Sequence, residues 1–150
     1  MKDLNSIKDK LKNLFDSQLL AVLGTQGEGQ PYTSLVAFSA NPDLKFLFFA
    51  TTRSTRKFAY LAADSRVSML IDNRSNQTND FREATAVTAL GRAKELIDAE
   101  RENYLSLYLG KHPYLEDFVN SPSCALIKIE VDRYYVVSRF QNVMEIHVER

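Results

Sequence analysis

The sequence predicts an α+β fold: an antiparallel β-barrel with helices at its edges. Two observations lead there. Short runs rich in β-branched and aromatic residues follow one another through tight turn signals, which favours hairpin-linked antiparallel strands over parallel ones. Helical periodicity is confined to the start of the chain and to a few isolated segments, so helices decorate the sheet rather than alternate with every strand. With 150 residues and 45% apolar content, the chain is expected to be one domain with one core.

Leu4, Ile7, Leu11, Leu14 and Phe15 recur at helical spacing with lysines and acids between them, so the chain opens with an amphipathic helix. Residues 19–25 are a short apolar run, residues 26–31 a Gly- and Pro-containing turn, and residues 32–40 a second β-rich run; together they predict a hairpin. Asn41-Pro42-Asp43 is another turn, and residues 45–50, with Phe46, Phe48 and Phe49, are a third strand. Residues 54–64 read as a short helix with Phe58, Leu61 and Ala62 on one face and Thr52 or Ser54 as its N-cap. Residues 66–72 are a strand, residues 73–82 an exposed polar loop, and residues 85–94 a strand of mostly small side chains. Residues 98–109 are helical, with Asp98 as cap and Gly110 as stop, and a second short helix covers residues 114–119. Ala125, Ile127, Ile129 and Val131 then alternate with Leu126, Lys128 and Glu130, the period of a half-buried strand, and strands at 134–138 and 143–148 close the chain.

Charge and cysteine usage narrow the function classes. Nineteen basic residues balance nineteen acidic ones, so no overall field favours nucleic acid or an anionic membrane, and any anion site must be local. No apolar run approaches the roughly 20 residues of a membrane helix. The lone Cys124 forms no internal disulfide, and the mixed-charge opening is unlike a secretory leader, so a reducing cytoplasm is the expected location. Two histidines and one cysteine, far apart in sequence, do not suggest a metal site.

The stretch most suggestive of chemistry is Phe48-Phe49-Ala50-Thr51-Thr52-Arg53-Ser54-Thr55-Arg56-Lys57. An apolar strand ends in hydroxyl residues and a helix begins among cations. Free N–H groups at a helix start favour an anion. Thr51, Thr52, Ser54 and Thr55 add hydroxyls, and Arg56 and Lys57 add charge, a set suited to a phosphate monoester. The same residues also fit a capped helix with solvated charges.

A resemblance bears on that choice. Gly29-Gln30-Pro31-Tyr32-Thr33-Ser34-Leu35-Val36-Ala37-Phe38 resembles the second strand of the pyridoxamine 5′-phosphate oxidase-like FMN-binding split-barrel family. Residues 48–57 resemble its phosphate-gripping strand-loop-helix. Residues 61–71, with Asp64-Ser65-Arg66-Val67, resemble the helix end and next strand, and residues 87–94, with Gly91-Arg92-Ala93, the strand after that. Lys111-His112-Pro113 and Ser121-Pro122 also fall where small members carry similar residues, and the likeness runs over residues 19–148. It implies a split barrel that binds FMN as a homodimer, with each flavin in a groove between two subunits. Thr33, Ser34, Leu35 and Val36 would lie beside the isoalloxazine, largely through backbone contacts. Ala50, Thr51 and Thr52 would follow the ribityl chain, Ser54 would add a hydroxyl, and Arg56 and Lys57 would hold the phosphate. Residues near Asn73, Ala86 and Val87 would come from the partner, and Gln141 would reach the flavin from the C-terminal strand pair. Ala86 departs from members that carry a flavin-contacting glutamine there.

Other residues have plainer readings. Tyr134, Tyr135 and Phe140 suit a core or dimer interface. His112 suits a helix C-terminus as a cation, His147 suits solvent, and Cys124 suits a small buried apolar site. The 74–83 loop reads equally as a lid or as a solvated connection. The expected function is an FMN-dependent oxidoreductase acting on a small molecule; the alternatives are a flavin-binding redox carrier, or a deazaflavin (F420)- or heme-handling relative on the same fold. A true pyridoxamine phosphate oxidase is disfavoured, because residues 143–150 do not match the characteristic arginine-containing terminus.

Overall fold

A computed structural model describes residues 4–139 and 142–150. Helix α1 (Leu4–Ser17) precedes a hairpin of β1 (Leu20–Gly27) and β2 (Gln30–Ala40), and β3 (Phe46–Thr52) follows. Helix α2 (Arg56–Ala63) leads to β4 (Arg66–Asp72), a short helix α3 (Asp80–Glu83) and β5 (Thr85–Glu95). Helix α4 (Asp98–Lys111), a 3-10 turn (Pro113–Leu115) and α5 (Glu116–Asn120) come next, then β6 (Cys124–Ser138) and β7 (Asn142–His147). All strand pairs are antiparallel, in the order β3-β2-β1-β4-β5-β6-β7, and a β3–β6 pairing closes six strands into a barrel with β7 outside it. The expected α+β barrel with peripheral helices is the observed fold.

Closure depends on β6. The sequence reads it as two strands, at 125–131 and 134–138; it is one strand of 15 residues. One of its edges pairs with β5 from Ile127 to Ser138, and the other pairs first with β3 and then with β7. The β5–β6 register shifts at Leu90/Gly91, and a Cβ on Gly91 would collide with the Glu130 carbonyl. Glycine therefore lets two backbones approach where the barrel bends.

Inward side chains of all six barrel strands form one core, including Leu23, Phe38, Phe49, Met69, Val87 and Ile127. Helix α1 seals one end with Leu11, Leu14 and Phe15. Phe15 meets Phe38 edge-on at 5.9 Å, and buried Tyr134 donates its hydroxyl to the Leu44 carbonyl at 2.7 Å. A second cluster lies outside the barrel, where Tyr108 of α4 and Val119 of α5 cover Phe48, Leu96 and Leu126.

The last turn of α4 ties this outer layer to α1 and β2. Lys111 Nζ donates to the Phe15 carbonyl at 2.7 Å and lies 3.8 Å from the centre of the Phe38 ring. His112 Nε2 sits 2.7 Å from the Phe38 carbonyl, so that nitrogen carries the proton. His112 is the C-cap of α4, as expected, but not the exposed cation expected there: it is buried, and burial pushes its pKa down, with Lys111 adding to the shift. Burial likewise brings Lys111 down to about 8. Three boundary expectations also change. Asp98 is the first helical residue, at φ 54°, and Ile97 is the N-cap. Gly110 lies inside α4, which ends at Lys111. Within the expected 73–82 loop, Asp80 starts α3 and accepts hydrogen bonds from the Ser75 and Asn76 N–H groups. Cys124 is buried as expected, and burial raises its pKa.

Two outcomes test this packing. Gly91→Ala is expected to destabilise the fold by about 1–3 kcal/mol in chemical denaturation, the usual penalty for overpacking; a wild-type midpoint would contradict the close approach. For His112 the folded pKa is lowered, so between it and the unfolded value of about 6.5 the unfolded chain binds more protons. Stability therefore falls as pH drops through that window. His112→Gln, which keeps an N–H for the Phe38 carbonyl but does not titrate, is expected to flatten the slope; an unchanged slope would count against the assignment.

Candidate functional site

Strands β2 and β3 begin as neighbours and then part. They pair only at Phe38↔Phe49, Ser39↔Phe48 and Ala40↔Leu47. Had the ladder continued, Ala37 would face Ala50, Val36 would face Thr51, and Leu35 would face Thr52. Instead β2 stays with β1 as far as the hairpin, while Ala50, Thr51 and Thr52 stay with β6 opposite Leu126, Ala125 and Cys124. The barrel is split along this seam.

Backbone direction decides what the split exposes. Phe38 N–H bonds back to the Leu19 carbonyl, so even-numbered β2 residues point at β1 and odd-numbered ones point at the seam. Arg53 N–H bonds to the Ser123 carbonyl and Asn41 N–H to the Phe46 carbonyl, so odd-numbered β3 residues serve β6 and even-numbered ones point at the seam. The N–H and C=O groups of Thr33 and Leu35 thus form a strand edge without a ladder partner, with Thr52 where the continued ladder would have met Leu35. A covered edge of this kind must find partners.

Side chains complete the trough. Val36 and Thr51 point into the barrel and are buried, whereas Thr33 and Leu35 are exposed, Leu35 at 63%. The Ser34 hydroxyl is buried with no hydrogen-bond partner among the described residues, so the mouth of the split has spare polar capacity. Thr55, rather than Thr52 or Ser54, is the N-cap of α2: its hydroxyl accepts from Phe58 N–H. It also lies 2.9 Å from Thr51 Oγ1, which ties the cap to the end of β3. The reason for the correction is that β3 continues through Thr52, and Arg53 is held to the β6 side by its backbone. The side chains of Thr52 and Ser54 stay at the rim, their hydroxyl oxygens 3.5 Å apart.

The three basic residues of the segment divide. Arg53 is engaged, with Glu95 Oε2 at 2.6 Å and the Pro122 carbonyl at 2.9 Å. Arg56 and Lys57, in the first turn of α2, form no ion pair with any described carboxylate. The Arg56 guanidinium lies 5.7 Å from the centre of the Tyr32 ring, which itself packs edge-on against Tyr60. One side of the split therefore carries an aromatic-supported cation beside the open N–H groups of a helix start.

Of the expected site residues, Thr33, Ser34, Leu35 and Val36 lie on the β2 side of the seam, Ala50, Thr51 and Thr52 on the β3 side, Ser54 just beyond, and Arg56 and Lys57 in the first turn of α2, with Arg56 reaching β2 at Tyr32. Asn73 lies apart, past the end of β4, two strands from β2, with its side-chain oxygen on Thr85 N–H at 2.8 Å. Gln141, with Phe140, lies outside the described residues. In one chain the seam is an open trough, and the roomier grooves are elsewhere. One of about 540 Å³ sits beside the 72–86 segment, lined in part by Arg74, Phe81 and Ala86; another of about 420 Å³ lies between α1 and the β6–β7 ribbon. The seam sets the unpaired β2 edge near the start of α2, where Arg56 and Lys57 form no ion pair among the described residues. Sequence reasoning missed Tyr108, whose hydroxyl donates to the Ala37 carbonyl at 2.9 Å where the strands part. Its spacing from Tyr104 marked a helix face and nothing more.

Comparison with known proteins gives a consistent picture. No curated protein sequence matches the chain. Among solved structures, a heme binding protein from Mycobacterium smegmatis superposes with TM-score 0.82 at 17% identity over 93% of this chain; the chain spans 57% of that protein. General Stress Protein 26 from Bacillus anthracis gives TM-score 0.71 at 19% identity, covering 95% of this chain and 98% of that one. An FAD-binding protein from Mesorhizobium loti gives TM-score 0.70 at 17% identity, covering 85% and 89%. At such identities these likenesses establish the fold. The sequence profile of the pyridoxamine 5′-phosphate oxidase family matches residues 7–138, nearly all of the barrel just described, and the chain belongs to that family.

Proposed function

We propose that the chain is an FMN-binding flavoprotein in which two copies enclose each flavin, and that it is an oxidoreductase acting on a small molecule. The observation that carries this reading is the split between β2 and β3. It sets an unpaired backbone edge, at Thr33 and Leu35, near two cations on a helix start, Arg56 and Lys57, that form no ion pair among the described residues. A flavin mononucleotide has the matching parts: a ring edge of alternating donors and acceptors, a polyhydroxyl chain and a terminal dianion.

The residues fit the group. Thr33 and Leu35 would supply backbone donors and acceptors to the ring, with the spare Ser34 hydroxyl beside them. Thr52 and Ser54 would meet the ribityl hydroxyls, and Arg56, Lys57 and the α2 N–H groups would hold the phosphate. When bound, the flavin supplies hydride and electron transfer, and the protein supplies position and electrostatics. The trough of a single chain is exposed at Thr33, Leu35, Ser54 and Arg56, so a second copy is what would exclude water from it. Residues near Asn73, Ala86 and Val87, remote from their own chain's seam, would arrive from that copy.

One observation favours a second reading, a redox carrier without a dedicated substrate. None of the expected site residues described on β2, β3 and α2 carries a carboxylate, imidazole or thiol, the usual general acids and bases. A heme role finds less support. His112 is buried and committed to the Phe38 carbonyl, and His147 is exposed, 2.8 Å from Glu145.

Two expectations follow. Light scattering at micromolar concentration should give a mass near twice 17.1 kDa; a mass of one chain across that range would contradict the shared site. In fluorescence titrations the wild type should prefer FMN to riboflavin, which lacks only the phosphate. Joint Arg56→Ala and Lys57→Ala replacement should remove most of that preference, at about one to two decades of affinity per lost charge-assisted contact. Unchanged FMN affinity in a folded double variant would remove the phosphate site from this helix.

A further inference from the structure

We propose that Tyr108 is a positioning residue for the flavin, a strut from α4 whose hydroxyl takes the place of the next β2–β3 ladder bond and so sets where the two strands part. The inference rests on reading the split as the flavin site.

The geometry is specific. Ser39↔Phe48 belongs to the last stretch of pairing, and by strand alternation the next hydrogen-bonded pair would be Ala37↔Ala50. That pair is missing, and the Tyr108 hydroxyl stands in its place. It donates to the Ala37 carbonyl at 2.9 Å, and the Ala50 N–H faces the phenol oxygen from the other strand, where it opposes the rise in the phenol's pKa that burial causes. A direct N–H···O contact spans about 2.9 Å, so routing it through an intervening oxygen holds the two backbones farther apart than a ladder allows. Once that rung is replaced, Leu35 and Thr52 are out of reach of each other.

The strut is rigid. The Tyr108 side chain is fully buried among Phe48, Leu96, Val119 and Leu126. The next turn of the same helix is fixed to β2 and α1 through His112 on the Phe38 carbonyl and Lys111 on the Phe15 carbonyl. Three consecutive anchors on Phe15, Ala37 and Phe38 thus keep α4 in register with β2 at the point where the seam opens. Any ring bound by Thr33 and Leu35 has its position set by this register, although Tyr108 itself lies behind the strands. Its effect falls on the ring edge and not on the phosphate, which is held from α2.

The test compares wild type, Tyr108→Phe and, as a control for loss of a phenol from the same helix, Tyr104→Phe. Binding of FMN and of riboflavin is titrated for each, and the visible spectrum of bound FMN is recorded. Tyr108→Phe is expected to weaken both flavins by about tenfold with their ratio unchanged, and to shift the shape of the band near 450 nm toward that of free flavin. Tyr104→Phe is expected to match wild type. Wild-type affinities and spectrum in Tyr108→Phe would overturn the proposal, as would a loss confined to FMN. If Tyr108→Phe does not fold, the wild type still decides by amide exchange without flavin: slower exchange at Ala50 than at Leu35, by tenfold or more, supports the strut, and equal rates overturn it. A wild type that binds neither flavin defeats the functional reading separately, and the strut is then judged on amide exchange alone.

Discussion

The structure depends on the unequal ladders along the two edges of β3. Its backbone faces two neighbours, β2 and β6, and it pairs with β6 over seven residues but with β2 over three. The β6 ladder is the longer because β6 runs past the whole of β3 and is itself fixed on its other edge by β5, whereas β2 leaves β3 after three pairs. Everything distinctive about the molecule follows from that imbalance. The barrel closes through β6, β2 peels away with β1, and a strand edge is left open within the barrel. An open edge is normally a liability that folds blunt or cover. Here one end of the seam is blunted by a tyrosine hydroxyl, and the rest is flanked by hydroxyls and cations.

The helices serve this seam from opposite sides. Helix α1 and the core aromatics fill the barrel, so β2 cannot collapse inward after leaving β3. Helix α4 packs on the outer face and holds β2 by its carbonyls. Helix α2 starts where β3 ends, capped by Thr55, and presents Arg56 and Lys57 next to the hairpin through Tyr32 and Tyr60. Among the described residues no helix is long and apolar enough to cross a membrane.

Much of this was legible in the sequence. Period-two runs marked the strands, and Gly and Pro marked the hairpins. The hydroxyl-then-cation order of residues 51–57 marked a strand feeding a helix start. What was illegible was set by tertiary contacts. Arg53 looks equivalent to Arg56 until Glu95, 42 residues later, takes it. His112 looks like a surface cation until α4 docks and buries it against Phe38. Thr52 looks like a cap until β3 is seen to run through it to meet Cys124. The trough itself had no motif of its own, because its ring-facing contacts are backbone groups at Thr33 and Leu35 that any side chain could carry; only the family resemblance singled those residues out. Tyr108 escaped notice for a related reason: an apolar helix face and a strut both require a large buried side chain, and only the partners of its hydroxyl tell them apart.

The central claim is that the open edge of β2 is the flavin-binding surface. Its most direct test is a titration of the isotopically labelled protein with FMN, followed through the backbone amide resonances. The account predicts that the largest shifts fall on Thr33 and Leu35, whose N–H groups face the seam, and on the α2 amides at Arg56 and Lys57. Shifts concentrated instead in the groove between α1 and the β6–β7 ribbon, with Thr33 and Leu35 unmoved at saturation, would contradict it.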